Sequence, residues 1–438
     1  MTSLLQRFVN IRREETAPVL MAGLFFLLVL TALMVIRPAR EALGMQRGIE
    51  SVRWLFVGTA VVTLAVNPVF GWMVSRFRRM VFISATYVFF AASLVVFWAL
   101  LELAPDAVGE RSGQVFFVWF SVFNLFATMV FWALMVDRFS LEQSKRLFGT
   151  IAVGGTVGAI LGPWLATVLA RPLGTASLLL VSAGLLLLAV LAAWGVVWLQ
   201  GEPAAGPRRQ PETIIGGSAW EGFRAVLGSP YLLGISGFVL VMTVLATFIY
   251  FTRLQMVAAL GDDLDMRTSV FGQIDLITQT ATLVLQALVT GHIMRRLGVA
   301  FALALLPVTA ALGFLGLAIA GSFVVLVIFD ATFRAVQRAI MRPARETLFT
   351  VVSASDKYKA KAFTDTFVYR GGDLLGAYLE GALGQLGMGL FALASAAVPL
   401  AFVWGTLGIW LGRRQLGLAG PPAGTPAALA DQTVPSTV

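Results

Sequence analysis

The chain has 438 residues, 58% of them hydrophobic and 13% charged, against about 25% charged in an ordinary soluble domain. That composition places it in a bilayer and leaves little length for a soluble domain. Its net charge of +9 reflects basic residues that gather in cytoplasmic loops, so nucleic-acid binding is not implied. The absence of cysteine excludes disulfides and thiolate metal sites. The single histidine, His292, falls in a predicted loop and cannot build a metal site.

Apolar stretches of the roughly 20 residues needed to span fall near 17–36, 52–74, 80–102, 114–136, 147–170, 175–199, 230–252, 269–291, 299–319, 322–341, 363–385 and 388–411. The expectation is an all-α polytopic membrane protein of twelve transmembrane helices in two six-helix halves. Residues 1–200 form the first half and 229–415 the second. Residues 201–228, rich in Gly, Pro and Arg at their start, read as a cytoplasmic linker. Ser218 to Glu221 there is a capping box, and Trp220, Phe223 and Leu227 give the following helix an interfacial apolar face. Residues 416–438, rich in Ala, Pro and Thr, read as a disordered tail. The first stretch is too long for a cleaved signal, and Val35-Ile36-Arg37-Pro38 offers no small-residue cleavage site.

Basic clusters recur in every second loop along the chain. Arg12-Arg13, Arg76 to Arg79, Lys145-Arg146, Arg208-Arg209, Arg295-Arg296, Lys357 to Lys361 and Arg413-Arg414 share one side, which the positive-inside rule makes cytoplasmic. Both termini are then inside, and the inner membrane of a bacterium is the expected location. Segment starts recur at a nearly constant offset (52 with 269, 147 with 363), which indicates a parallel repeat. Gly71-Trp72-Met73-Val74-Ser75-Arg76-Phe77-Arg78-Arg79 and Gly291-His292-Ile293-Met294-Arg295-Arg296-Leu297-Gly298 follow equivalent segments. Both resemble the short basic loop of the major facilitator superfamily, Gly-x-x-x-Asp-Arg-x-Gly-Arg, although Ser75 and Arg295 replace its acid. In that superfamily the loop is associated with gating. Gly154-Gly155 and Gly371-Gly372 open equivalent helices, and read as close helix packing or as a flexible seam.

The stretch from Phe323 to Gly376 breaks the membrane rules. Asp330, Arg334, Arg338, Arg342 and Arg345 recur at helical spacing, which stacks them on one face. An arginine at mid-bilayer costs about 2.5–3.5 kcal/mol even on the lenient scale, so the stripe must face water, an anion or a carboxylate. Internal pairing, Asp330 with Arg334, is the competing explanation. The next segment carries Lys361, Asp365, Tyr369, Arg370 and Asp373. Arg37-Pro38-Ala39-Arg40-Glu41-Ala42-Leu43 and Arg342-Pro343-Ala344-Arg345-Glu346-Thr347-Leu348 are near copies. An inverted relation within each half would set Arg40 and Arg345 at opposite ends of one pathway. The planar guanidinium fork suits phosphate and carboxylate.

The sequence resembles the nucleotide (ATP/ADP) transporters of plastids and intracellular bacteria, distant relatives of the major facilitators. Arg37 to Leu43 resembles that family's Arg-Asp-Thr-Lys-Asp-x-Leu, with Arg40 at the lysine. Glu142 to Leu147 resembles Asp-Glu-Ala-Lys-Arg-Phe. Arg342 to Glu346, with Lys359-Ala360-Lys361-Ala362-Phe363-Thr364-Asp365 and Gly371-Gly372, resembles its later motifs. Tyr250 falls where the family has an acid. The resemblance implies secondary active transport of an anionic, phosphate-bearing metabolite, a nucleotide above all, by exchange and alternating access. The expected substrate-binding residues are Arg40, Arg334, Arg338, Arg345, Lys145, Lys361, Tyr250, Tyr369 and Arg370. Glu41, Asp275, Asp330, Glu346 and Asp365 are expected in coupling or gating, Asp275 either carrying a proton or neutralising an arginine. No enzyme motif, metal site or cofactor is expected, and a monomer in the bilayer is. The alternative is a proton-coupled major-facilitator exporter of small lipophilic or other organic compounds.

Overall fold

A computed structural model describes residues 11–76, 79–104, 109–200, 219–385 and 389–419. Part of the first basic loop, the linker with Ser218, and the tail from residue 420 lie outside them. Among the described residues the regular structure is entirely helical. The helices are α1 (Thr16–Val35), α2 (Arg37–Gly44), α3 (Ile49–Arg76), α4 (Arg79–Leu103), α5 (Glu110–Arg138), α6 (Leu141–Leu173), α7 (Ser177–Gln200), α8 (Ala219–Gly228), α9 (Pro230–Ala258), α10 (Leu264–Leu288), α11 (Thr290–Arg296), α12 (Gly298–Ala320), α13 (Phe323–Val336), α14 (Arg342–Leu348), α15 (Ala354–Phe363), α16 (Tyr369–Gln385) and α17 (Leu390–Leu418). Among the described residues nine helices are long and apolar enough to cross a membrane, or ten if α10 and α11, bent by 46°, count as one span. The stretches 322–341 and 363–385 are helical but interrupted, by π-helical turns at Gln337–Met341 and Thr364–Val368. His292 lies in α11, where a loop was expected.

Two compact units are formed: Met1–Glu212 with Tyr250–Thr280, and Thr213–Ile249 with Ala281–Val438. In the first, α1 is packed by α6 and α7. Gly154 and Gly158 on α6 meet the Gly23 and Leu27 carbonyls of α1, where a Cβ would collide with backbone. In hydrocarbon such small-residue seams let van der Waals contact hold helices together. Phe26 stacks on Phe131 with centroids 4.0 Å apart, and the buried Tyr87 hydroxyl donates to the Ala127 carbonyl at 2.8 Å. Glu15, just before α1, accepts from both terminal nitrogens of Arg146, at 2.8 and 2.7 Å, and from Gln143 at 3.1 Å.

In the second unit α12 packs on α17 and α13, around Trp404 and Phe238. Gly372 and Gly376 on α16 press against Thr243 and Thr247 of α9, in the manner of Gly154 and Gly158 against α1. Close packing thus accounts for Gly154, Gly155 and Gly372, whereas Gly371 has open space. Helix α8 lies on α15: Gly222 abuts the Lys359 carbonyl, Phe223 meets Phe363 at 5.7 Å, and Val226 is buried while Leu227 is exposed. Its inner face is therefore Phe223 and Val226, and the exposed Leu227 lies off that inner face.

Candidate functional site: two arginine–glutamate clusters

The two near-identical strings fold alike. In each, proline stands in the first turn of a short helix, α2 or α14, set off from the helix before it. Proline lacks the N–H that would bond the carbonyl four residues back, and its ring crowds that carbonyl. Before Pro38 the chain breaks at Ile36. Before Pro343 it widens into the π-turn, and the Ala339 carbonyl that Pro343 cannot serve accepts from the Thr290 hydroxyl at 2.9 Å. Hydroxyl side chains commonly supply such bonds in membrane helices.

The π-turn corrects the expected stripe. One extra residue in a turn rotates the later residues by about 100° around the axis. Asp330 and Arg334 are buried, Arg338 is half-buried, Arg342 is exposed, and Arg345 is buried again. Arg334 donates to Asp330 at 2.6 Å, so the internal-pairing explanation accounts for that pair.

In the first unit Arg40 donates to Glu41 at 2.8 Å and lies 3.6 Å above the Phe117 ring, a favourable cation–π contact. The other oxygen of Glu41 accepts from the Tyr250 hydroxyl at 2.5 Å. Arg37 faces the buried Asp275 at 3.6 Å. Tyr250 is packed by Phe56 and Phe251 at 5.2 and 5.4 Å and by the Arg253 guanidinium at 5.2 Å. Its ring and hydroxyl are thus both engaged within the protein, although a place among the substrate-binding residues was expected. Further polar contacts fasten residues 250–280 to this unit, from Asp265 to the Thr175 amide at 2.6 Å and from Ser269 to the Thr167 carbonyl at 3.1 Å.

In the second unit Arg345 faces Glu346 at 3.3 Å and Asp365 at 3.2 Å, and its buried Nε has no hydrogen-bond partner among the described residues. Lys361 donates to Glu346. Partial burial raises the Glu346 carboxyl, but the Lys361 hydrogen bond and the charges of Lys361 and Arg345 outweigh it, leaving the group below the ordinary glutamate range. Arg370 faces Asp373 at 3.5 Å, and Tyr369 lies within reach of the charges of Asp373, Arg370, Arg345 and Arg338.

The expected residues are thus gathered unevenly. Arg40, Glu41, Tyr250 and Asp275 come together in one unit, and Arg345, Glu346, Lys361 and Asp365 in the other. Lys145 is not brought to Arg40. It is exposed beside Arg146, which binds Glu15 at the start of α1, while Arg40 follows the end of α1, roughly 30 Å along the axis by helical rise. Arg53 and Arg253 are not among the residues expected from the sequence. Arg53 and Arg253 are buried against Phe251 and Tyr250, and their position at segment ends among Tyr and Phe was the available clue. Among the described residues no group of three or more His, Asp or Glu could hold a metal.

Long apolar helices, nine or ten of them able to cross a membrane among the described residues, define an integral membrane protein. Residues 19–344 match the Major Facilitator Superfamily, and the chain belongs to it. It is a secondary transporter of that type and not an enzyme. Three solved structures share the fold. A bacterial homolog of the human lysosomal transporter Spinster, inward-facing and unoccupied, matches with a TM-score of 0.60 at 14% identity, covering 94% of this chain and 100% of that one. The POT family transporter PepTSo matches at 0.64 and 12%, covering 91% and 98%. The nucleoside transporter NupG matches at 0.56 and 13%, covering 94% and 100%. No curated protein matches the sequence, and none of these likenesses assigns a substrate.

Proposed function

We propose that this protein is a twelve-helix, alternating-access carrier of an anionic, phosphate-bearing metabolite, a nucleotide of the ATP/ADP kind, working by exchange. The observation that carries this reading is the pair of Arg-Pro-Ala-Arg-Glu clusters, each presenting a guanidinium at a helix break. Arg40 and Arg345 bind the phosphates, with Lys361, Arg338 and Arg370 adding positive charge in the second cluster. Tyr369 is the aromatic residue left to meet a base. Residues 1–200 and 229–415 act as the two moving halves, and both termini face the cytoplasm of a bacterial inner membrane. Interruption of the 322–341 and 363–385 helices supports a role for them in a pathway, because irregular backbone at membrane depth is tolerated where it is buried in protein or lines a cavity. The test is uptake of labelled ATP into proteoliposomes. Uptake that requires internal ADP supports exchange of nucleotide, and uptake absent with every nucleotide and organic phosphate removes it.

The buried Asp275, facing the half-buried Arg37 at 3.6 Å, favours a second reading, a proton-coupled exporter. In that case Asp275→Asn abolishes pH-driven efflux while changes to Arg40 and Arg345 are mild.

A further inference from the structure

Arg40 and Arg345 are each paired with the next residue in the chain, at 2.8 and 3.3 Å. A pair between neighbours in sequence ties no helix to another. Arg40 does reach Phe117 and Arg345 reaches Asp365 at 3.2 Å, but each glutamate adds a second tie through a donor from a remote part of the chain: the Tyr250 hydroxyl on Glu41 and the Lys361 ammonium on Glu346. Each cluster therefore consists of an arginine fork held by the next residue's carboxylate, shared in the second cluster with Asp365, and a latch that depends on that glutamate staying in place. The short helices carrying the strings follow a break or a π-turn, which are the places where backbone dihedrals can change without breaking a full hydrogen-bond ladder.

We propose that Glu41 and Glu346 are stand-in anions, each holding the arginine fork that a substrate phosphate takes over and each releasing its second donor when displaced. The proposal rests on the phosphate reading above and adds its coupling. Phosphate on Arg40 turns Glu41 away and loosens Tyr250, one of the polar fastenings of residues 250–280. Phosphate on Arg345 turns Glu346 away and loosens Lys361, one of two ties to this stretch, the other being the Arg345–Asp365 pair. An empty carrier re-forms both latches, so movement without cargo is suppressed and exchange is favoured over net flux. The two latches differ in ease of opening. The Glu41 side chain is 5% exposed and that of Glu346 is 39% exposed, so a displaced Glu346 is received by water and a displaced Glu41 is not. The Glu346 latch is the one an arriving anion opens first.

The test uses the full chain in proteoliposomes, with ATP as the probe, comparing wild type, Glu346→Gln and Glu346→Asp. Glutamine cannot hold the guanidinium as a carboxylate does, whereas aspartate keeps the charge. The expected result for Glu346→Gln is at least fivefold tighter ATP binding by calorimetry, together with release of loaded ATP into medium without counter-substrate at half or more of the wild-type exchange rate. Glu346→Asp should return both values toward wild type, an outcome that general loosening of the fold would not give. Wild-type exchange with Glu346→Gln unchanged in affinity and leak would overturn the stand-in role alone. Wild-type protein that neither binds nor exchanges ATP would overturn the phosphate reading and this one with it.

Discussion

Replacing Arg345 by alanine removes a guanidinium that spans Glu346 at 3.3 Å and Asp365 at 3.2 Å. Both carboxylates are more than a third exposed, at 39% and 37%, so water solvates them once the arginine is gone. The stability loss should then resemble that of a surface pair, about 1 kcal/mol or less, and not the roughly 3–5 kcal/mol of a broken buried pair. The variant should insert and remain folded. The effect on cargo is larger, because a hydrogen bond to a charged group contributes about 1.5–3 kcal/mol. At 1.4 kcal/mol per factor of ten, that corresponds to a loss of affinity of about 10- to 150-fold. Arg345→Lys restores the charge but not the planar fork, and should fall between alanine and wild type. The assay is nucleotide exchange in proteoliposomes across a range of external concentrations, with melting temperature measured in parallel. Wild-type exchange rate and half-saturation in Arg345→Ala would refute the reasoning, because the fork would then be dispensable.

Gly154→Ala places a methyl group against the Gly23 carbonyl and should destabilise by about 1–3 kcal/mol through overpacking. Gly184→Ala, with nothing within 4 Å, should melt as wild type does, and equal melting of the two variants would contradict the α1–α6 seam. Asp275→Asn and Arg37→Gln should each lower the melting temperature, and the double variant should recover part of the loss, with a coupling of about 0.5–3 kcal/mol. Additive losses would show that the pair does not interact. The Glu346 carboxyl titrates below its ordinary value of 4.5, so the latch contributes stability above that value and loses it as pH falls through the lower folded value. A melting series below pH 6 should therefore show an acid-side loss that Glu346→Gln lacks, and an identical series for both proteins would contradict the latch.

The spans were legible where hydrophobicity was unbroken, because a continuous apolar run of this length has few alternatives to a membrane helix. The close seams were partly legible: Gly154, Gly155 and Gly372 make the close approach that paired glycines suggest, while Gly371 meets open space. The stripe from Asp330 to Arg345 was only half legible. Its spacing fits an α-helix, and nothing in the order of residues announces a π-turn, although Pro343 marks where the ladder must fail. Tyr250 was expected among the substrate-binding residues because aromatic type is visible in sequence and hydrogen-bond partners are not. Its bond to Glu41 joins residues far apart in the chain. Lys145 was placed beside the arginines by motif resemblance, and the distance along α1 separates it from Arg40.

The most direct test of the central claim, that Arg40 and Arg345 form clamps for a phosphate-bearing anion, is a thermal-shift screen of nucleotides, sugar phosphates, inorganic phosphate and lipophilic cations on the purified protein, repeated with Arg40→Ala and Arg345→Ala. The account predicts stabilisation by at least one phosphate-bearing compound in the wild type, with that stabilisation lost in both variants. Stabilisation by lipophilic cations alone, or by phosphates equally in all three proteins, would contradict it.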